Sequence, residues 1–382
     1  MKYDLSKLKT NDSIGRIYQE FNGNLESNFS IDKYRVISSN AFKRLEGKTQ
    51  VFPSDRSNHV RKRLIHSIEV EYIASLITKI LNLNQDLTST IALSHDFGHP
   101  PFGHYGEEVL NEILQKYGLY FSHNEHTVKL LTKIEKFSLN YSGLNLSYEI
   151  IDGLIKHNGP IITNYKNKYI LEFIENSTFN GNKINLLNYP SLEAQIANIA
   201  DDIAYICHDF EDSIYQKTIP LEKYLELDLI KYFPEKIDNC QNKLHQNIAQ
   251  IKNYIKNIMV EDVLQNTIIN IEKYKITSIE DVYSANCEIV NFSEEMFIKI
   301  SQIKQFMYND LYHNKKITKN HKKYYKTIHK AFKMLMNNGD KLLKRDWKES
   351  FIKAQSDQQK TTIVCDFIAG MTDNYIQEFI KL

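Results

Sequence analysis

The fourteen residues from Ser94 to Glu107, SHDFGHPPFGHYGE, hold three histidines, an aspartate and a glutamate around two prolines and three glycines. Packing alone does not demand that composition. Imidazoles and carboxylates at this density are the groups that ligate metal ions and move protons. Just before, Leu87, Ile91 and Leu93 recur with His95 at helical spacing, and Pro100-Pro101 then forbids the helix to continue. His95 and Asp96 are therefore expected at a helix end, where both side chains can turn onto one divalent cation.

A His-Asp pair by itself carries little information, because 13 histidines produce about one such pair by chance, and His208-Asp209 is a second one here. The elements that must bring partners to the first pair say more. His66 lies near the start of a helical pattern, VRKRLIHSIEVEYIASLITKIL, whose buried stripe is expected at Ile65, Ile68, Tyr72, Ile73, Leu76, Ile77 and Ile80. Downstream, SLEAQIANIADDIAYICHDFEDSIY reads as one long helix. Along it Asp201, Tyr205, His208 or Asp209, and Asp212 recur at three- and four-residue steps on one face. A row of carboxylates repels itself and is tolerated where a cation or hydrogen-bond donors lie opposite.

The H…HD…D arrangement, with HDFGHPPFGHYGE and ADDIAYICHDFED, resembles the HD-domain superfamily. More narrowly it resembles the deoxyguanosinetriphosphate triphosphohydrolase (dGTPase) family in its shorter bacterial subgroup. Further blocks carry the likeness in order: FKRLEGKTQVF (42–52), RKRLIHS (61–67), HNEH (123–126), GLNLSYEIIDGLIKHNGP (143–160), EAQIANIADDIAY (193–205) and DFIAGMTDNY (366–375).

The resemblance implies an all-α fold, an HD-domain helical core with additional C-terminal helices. It also implies one divalent metal ion (Mn, Mg, Fe, Co or Ni) held by His66, His95, Asp96 and Asp201. Its substrate would be a deoxynucleoside triphosphate, attacked at the α-phosphorus to give a deoxynucleoside and intact tripolyphosphate. His104, oriented by Glu107, is the implied acid–base group; a carboxylate three residues away fixes the imidazole tautomer and raises its basicity. Arg63 and Lys156 are the implied phosphate cations, His99 a further substrate contact, and Gln50, Tyr205 and Asp209 the groups for the sugar. For Lys156, with its neighbour His157, the competing role is a cation stabilising a helix C-terminus. A homo-oligomer, up to a hexamer, and a single-stranded DNA or regulatory-nucleotide partner also follow from the likeness.

Composition agrees with a soluble enzyme. The chain has 382 residues, 42% apolar and 25% charged, with a net charge of +1 that excludes a general polyanion trap. No Pro/Gly/Ser-rich linker divides it, so a single helical body is expected over 1–382, with the catalytic core at 60–215 and amphipathic C-terminal helices at 216–382. Five of seven arginines fall between Arg35 and Arg63. For Arg63, one turn before His66, phosphate recognition is expected; for Arg56 and Arg61 the competing reading is a basic surface loop with solvated ion pairs. The lysines and Tyr324-Tyr325 of KKITKNHKKYYK (315–326) have a single-strand-binding composition, and a solvated helix face explains them better. Cys207, Cys240, Cys287 and Cys365 stand singly, as in a reducing compartment. With no apolar leader and no run of eighteen apolar residues, no membrane segment is expected and the cytoplasm is the expected location.

Three positions depart from the family pattern: His126 stands where Gln is common, Lys129 where Arg is usual, and Asn374 where Arg is frequent. These leave metal and scissile bond untouched but bear on base preference and regulation. Two alternatives therefore stay open, a nucleotide-binding regulatory or scaffold protein with weak turnover and another HD-type phosphohydrolase.

Overall fold

Twelve helices carry the argument: α1 (Asn28–Ser38), α2 (Arg63–Leu81), α3 (Gln85–Ser94), α4 (Gly103–Gln115), α5 (His123–Lys129), α6 (Tyr148–Ile155), α7 (Leu192–Tyr215), α8 (Leu244–Lys273), α9 (Glu294–Met307), α10 (His321–Leu342), α11 (Asp357–Ala369) and α12 (Asp373–Phe379). The computed structural model describes residues 3–20, 26–52, 60–161, 167–234, 243–312 and 314–382. Arg56 and Cys240 lie outside the described residues. Within them the fold is all-α, with isolated bridges such as Thr49 to Lys62 and no strand. No helix among the described residues is long and apolar enough to cross a membrane.

Helix starts follow local capping chemistry. The side chains of Ser27, Asn84 and Ser191 accept hydrogen bonds from Ser30, Leu87 and Ala194 at the starts of α1, α3 and α7. α3 stops at Ser94 with His95 as its C-cap, ahead of the diproline. The chain turns back into α4 through two successive left-handed residues, Phe102 (φ 66°) and Gly103 (φ 60°). For a non-glycine residue that conformation costs about 1–2 kcal/mol, so the surrounding contacts must hold Phe102 in place.

α2, α3 and α7 pack on one another and place the His66, His95 and Asp201 backbones around one point. α1, α6, α8 and α9 complete their apolar surround, with Ile251, Ile255, Met259, Ile300 and Ile303 fully or almost fully buried. A second core joins α4 to α10, α11 and α12 through Leu110, Ile113, Ile328, Leu335, Ile368 and Ile376.

The phase of α2 differs from the sequence expectation. Ile73 and Ile77 are buried and Leu76 and Ile80 half-buried, but Ile65, Ile68 and Tyr72 are exposed by 45%, 44% and 58%. The inward face is instead Arg63, His66, Ser67, Val70, Ile73, Ala74, Ile77 and Leu81. Buried polar side chains at the site end set the rotation of this helix, and an apolar pattern cannot register them. Tyr324 is likewise interior, stacked on Phe102 at 4.0 Å, which removes it from any strand-binding surface.

Candidate metal centre and catalytic histidines

His66 points inward from the first turn of α2, His95 caps α3, and Asp201 lies midway along α7. One ligand atom from each falls within 4.8 Å of the others. His66 Nε2 is 3.0 Å and His95 Nε2 3.5 Å from Asp201 Oδ1, and the Asp96 carboxylate stands 3.6 Å from both imidazole nitrogens. Metal–ligand bonds of about 2.1 Å set neighbouring octahedral ligands about 3 Å apart, so small side-chain movements close this set on an ion. His95 Nδ1 donates to the Ala92 carbonyl at 2.7 Å, which leaves Nε2 as the ligand atom. That Nε2 is buried without a hydrogen-bond partner, as a ligand atom awaiting a cation would be.

The electrostatics call for positive charge at the same point. Burial opposes a charged imidazole, yet the carboxylates of Asp96 and Asp201 outweigh it and push His95 up to about 9. Burial likewise opposes ionisation of Asp96 and Asp201. Arg63, His95 and His99 nevertheless hold Asp96 well below the usual carboxylate range, and His95, His157 and His66 do the same for Asp201. A proton on His95 sits where a divalent ion would satisfy both acids.

Behind this set, His66 Nδ1 is 2.7 Å from His208 Nε2, and His208 Nδ1 is 3.1 Å from Asp209 Oδ1. Asp209 is wholly buried, with Oδ1 against His208. Lys156 departs from expectation. Its ammonium is in the interior, 2.6 Å from Asp152, while His157 reaches Asp201 at 3.5 Å. α6 ends at Ile155 with Lys156 as its C-cap, and the consecutive side chains of Lys156 and His157 meet different partners. Arg61 is held by Glu69, Glu211 and Asp212 at 2.7–2.8 Å, a half-buried cage in place of solvated pairs.

A second cluster adjoins the first. His99 Nε2 lies 3.1 Å from Asp96, and its ring stacks on His123 at 3.8 Å with His104 at 4.9 Å. Glu107 accepts from both the backbone N–H and Nδ1 of His123 at 2.9 Å, whereas His104 Nδ1 is 3.5 Å away. Glu107 thus anchors His123 more tightly than His104, and His104 is the solvent-facing member, 69% exposed at its side chain. Burial, Arg63 and His123 hold His99 well below the usual imidazole range. His99, His104, Glu107 and His123 form a second group whose donor atoms could hold a metal. His123 was visible in the sequence only as part of HNEH, and His157 only as the neighbour of Lys156.

Arg63 bridges the clusters. Nη1 binds Asp96 at 2.7 Å, while Nη2 and Nε are buried without partners. Gln50 Oε1 is a further buried, unpartnered atom. A Cβ on Gly103 would come within 3.2 Å of Arg63 Nη2 and 3.5 Å of the Gln50 carbonyl, so glycine lets these groups converge. The Tyr205 ring stands edge-on 6.2 Å from His208.

Residues 63–206 match the HD domain, and residues 290–381 match the Phosphohydrolase-associated domain. Over 377 residues, 97% of this chain and 95% of the relative, the sequence is 40% identical to the deoxyguanosinetriphosphate triphosphohydrolase-like protein of Rickettsia felis. The chain belongs to the deoxyguanosinetriphosphate triphosphohydrolase-like family. The likeness extends to the proteins of that name from Rickettsia akari, 41% identical over 97% of this chain and 93% of the relative, and Rickettsia prowazekii, 38% identical over 97% and 95%. This family member is thereby a hydrolase of the HD phosphohydrolase type. Two of its departures from the family pattern meet in space. Lys129 Nζ is 2.5 Å from one oxygen of Asp366, and His126 Nε2 is 3.7 Å from the other. Asn374, the third, lies apart on the outer side of α12, beside Lys323 and Lys330.

Proposed function

We propose that this protein is a metal-dependent deoxynucleoside triphosphate triphosphohydrolase. The observation that carries the proposal is the junction at Asp96: one carboxylate joins the His66, His95 and Asp201 ligand set to Arg63 and to the His99, His104, His123 and Glu107 cluster. Cation ligands, an anion-binding guanidinium and an acid–base pair therefore adjoin one another, as hydrolysis of a polyphosphate ester requires.

A divalent ion bound by His66, His95, Asp96 and Asp201 would polarise a phosphate oxygen and make water a better nucleophile. The unspent Arg63 donors take the growing charge of the phosphate oxygens. Water oxygen bonds to the α-phosphorus, the bond from phosphorus to the 5′-oxygen breaks, and His104 delivers a proton to that oxygen. The deoxynucleoside and tripolyphosphate leave, and the proton shed by the water restores His104. Gln50 and Tyr205 face the sugar in this reading, supported by the unpartnered Gln50 oxygen. Lys156 is not among the phosphate groups, since Asp152 holds its ammonium; His157 takes the place beside Asp201. A homo-oligomer is supported by the exposed apolar face of Ile65, Ile68 and Tyr72, and cytoplasmic location by the singly placed cysteines.

Purified protein incubated with Mn or Mg and each deoxynucleoside triphosphate should yield deoxynucleoside and tripolyphosphate in equal amounts. Orthophosphate with a nucleoside diphosphate would mark a different phosphohydrolase. Inactivity across metals and nucleotide mixtures, with nucleotide binding retained, would mark a regulatory scaffold.

A further inference from the structure

Three positions of the Phosphohydrolase-associated region within eight residues reach the catalytic loop, Asp373 directly and Ala369 and Asp366 through one intervening side chain each. The carboxylate of Asp373 is buried at the start of α12, where Oδ2 accepts from the backbone N–H of Thr49 at 2.9 Å and from its hydroxyl. Oδ1 accepts from the backbone N–H of Phe102 at 2.8 Å. A single carboxylate thus ties the segment that carries Gln50 to the left-handed residue that launches α4, two positions before His104.

Four residues back, the Ala369 carbonyl at the end of α11 accepts from Lys48 Nζ at 3.0 Å, and the same ammonium donates to the His99 carbonyl at 2.5 Å. Lys48 is 1% exposed, so its amino group has these carbonyls and not water as partners. Asp366, three residues further back, holds Lys129, while His126 Nδ1 donates to the Gly98 carbonyl at 3.0 Å. Thr372 closes the joint, so tightly that a Cβ on Gly47 would come within 2.5 Å of its side chain.

None of these bonds reaches His66, His95 or Asp201, which α2, α3 and α7 position within the first core. The Asp373 and Lys48 bonds reach the loop from Gly98 to Phe102 and the strip from Lys48 to Thr49, while Asp366 reaches that loop only through α5. We propose that the corner between α11 and α12 is a clamp that sets the catalytic loop against the metal centre, with Asp373 its principal positioning residue and Lys48 its second. The associated region then completes the active site from outside the HD domain, through backbone groups and without touching substrate. This assignment rests on the reading of His99 and His104 as functional groups. The clamp itself is a statement about backbone order and is measured without turnover.

The test uses the full chain with Asp373→Asn, in which one carboxylate oxygen becomes an amide donor facing a backbone donor. Thr49→Val, which removes only the hydroxyl bond to the same carboxylate, is the milder second variant. Hydrogen exchange by mass spectrometry should show peptides covering 98–104 exchanging about tenfold faster in Asp373→Asn, with peptides from α2 and α7 unchanged. Mn binding by calorimetry should stay within twofold of wild type, and kcat should fall about tenfold or more with KM within threefold. Thr49→Val should give the same pattern at lower amplitude, and it decides the matter if Asp373→Asn does not fold. Unchanged exchange at 98–104, or faster exchange across the whole chain with loss of Mn binding, overturns the clamp. Should wild type show no turnover, the triphosphohydrolase reading falls and exchange with Mn binding alone judges the clamp.

Discussion

His66 Nδ1 and His208 Nε2 lie 2.7 Å apart, and both rings are buried. One of the two nitrogens must carry the proton. Asp209, on the far side of His208 at 3.1 Å, places a proton on His208 Nδ1 and so makes His208 Nε2 the acceptor. His66 therefore donates through Nδ1, which leaves Nε2, 3.0 Å from Asp201 Oδ1, as its ligand atom. Burial, His66 and Arg61 keep His208 well below the usual imidazole range, which agrees with a neutral relay.

His208→Phe keeps the ring volume and removes the acceptor. Loss of such an outer partner lowers metal affinity by about 10- to 100-fold. Competition with a fluorescent chelator, using Mn or Co, should show that weakening with the helical circular dichroism spectrum unchanged. Unaltered affinity would show that the relay does not orient His66.

Asp201→Ala should abolish metal binding, because the set loses its charged α7 member and leaves His66 and His95 facing each other. His104→Ala should bind metal as wild type does and lose about 100- to 10,000-fold in turnover, the usual contribution of an acid–base group. Metal content after dialysis separates the two, and equal loss in both variants would mean the roles are wrongly divided.

Gly98→Ala tests the contact between the loop and α5. A Cβ at residue 98 would fall 1.9 Å from the His123 carbonyl and 2.4 Å from the Thr127 nitrogen, backbone atoms that can yield only by moving α5. The shift separates His99 from His123 while the α2, α3 and α7 ligands stay where they are. A displacement of about 1 Å costs on the order of 100-fold in rate. The expected result is that loss in kcat with metal binding retained, and full activity would count against a working role for the His99 and His123 stack.

Glu125 gives a pH signature. Burial pushes its carboxyl up to about 7, against the backbone N–H bonds it accepts from Tyr169 and Ile170. The folded protein therefore keeps a proton that the unfolded chain releases near pH 4.5, and stability from this group falls as pH rises from there to about 7. Glu125→Gln keeps an acceptor without the charge. Its Tm should match wild type near pH 4.5 and exceed it by pH 8, and a difference that does not vary with pH would refute the account.

Much of the centre was legible in the chain because it depends on local rules. Helical periodicity brought out α2, α3 and α7 and the diproline marked the end of α3, whereas the choice of His66, His95, Asp96 and Asp201 as one ligand set came from the family resemblance, since the residues alone left Asp201, His208, Asp209 and Asp212 open as partners. Tertiary packing decided the rest. The rotation of α2 was set by burying Arg63, His66 and Ser67, polar groups that an apolar pattern discounts, so Ile65, Ile68 and Tyr72 came out exposed. The last turn of α6 sent Lys156 to Asp152 and His157 to Asp201, a choice between neighbours that depends on which wall each one meets. Glu107 took His123 as its closer partner because it accepts from both the ring and the backbone N–H at the start of α5. Asp373 and Thr49 bond across 324 residues of sequence, and no local preference in either segment encodes that meeting. Short-range propensity acts within a few residues of the chain; the partners of a buried charge are chosen by whichever distant backbone groups the cores bring within reach.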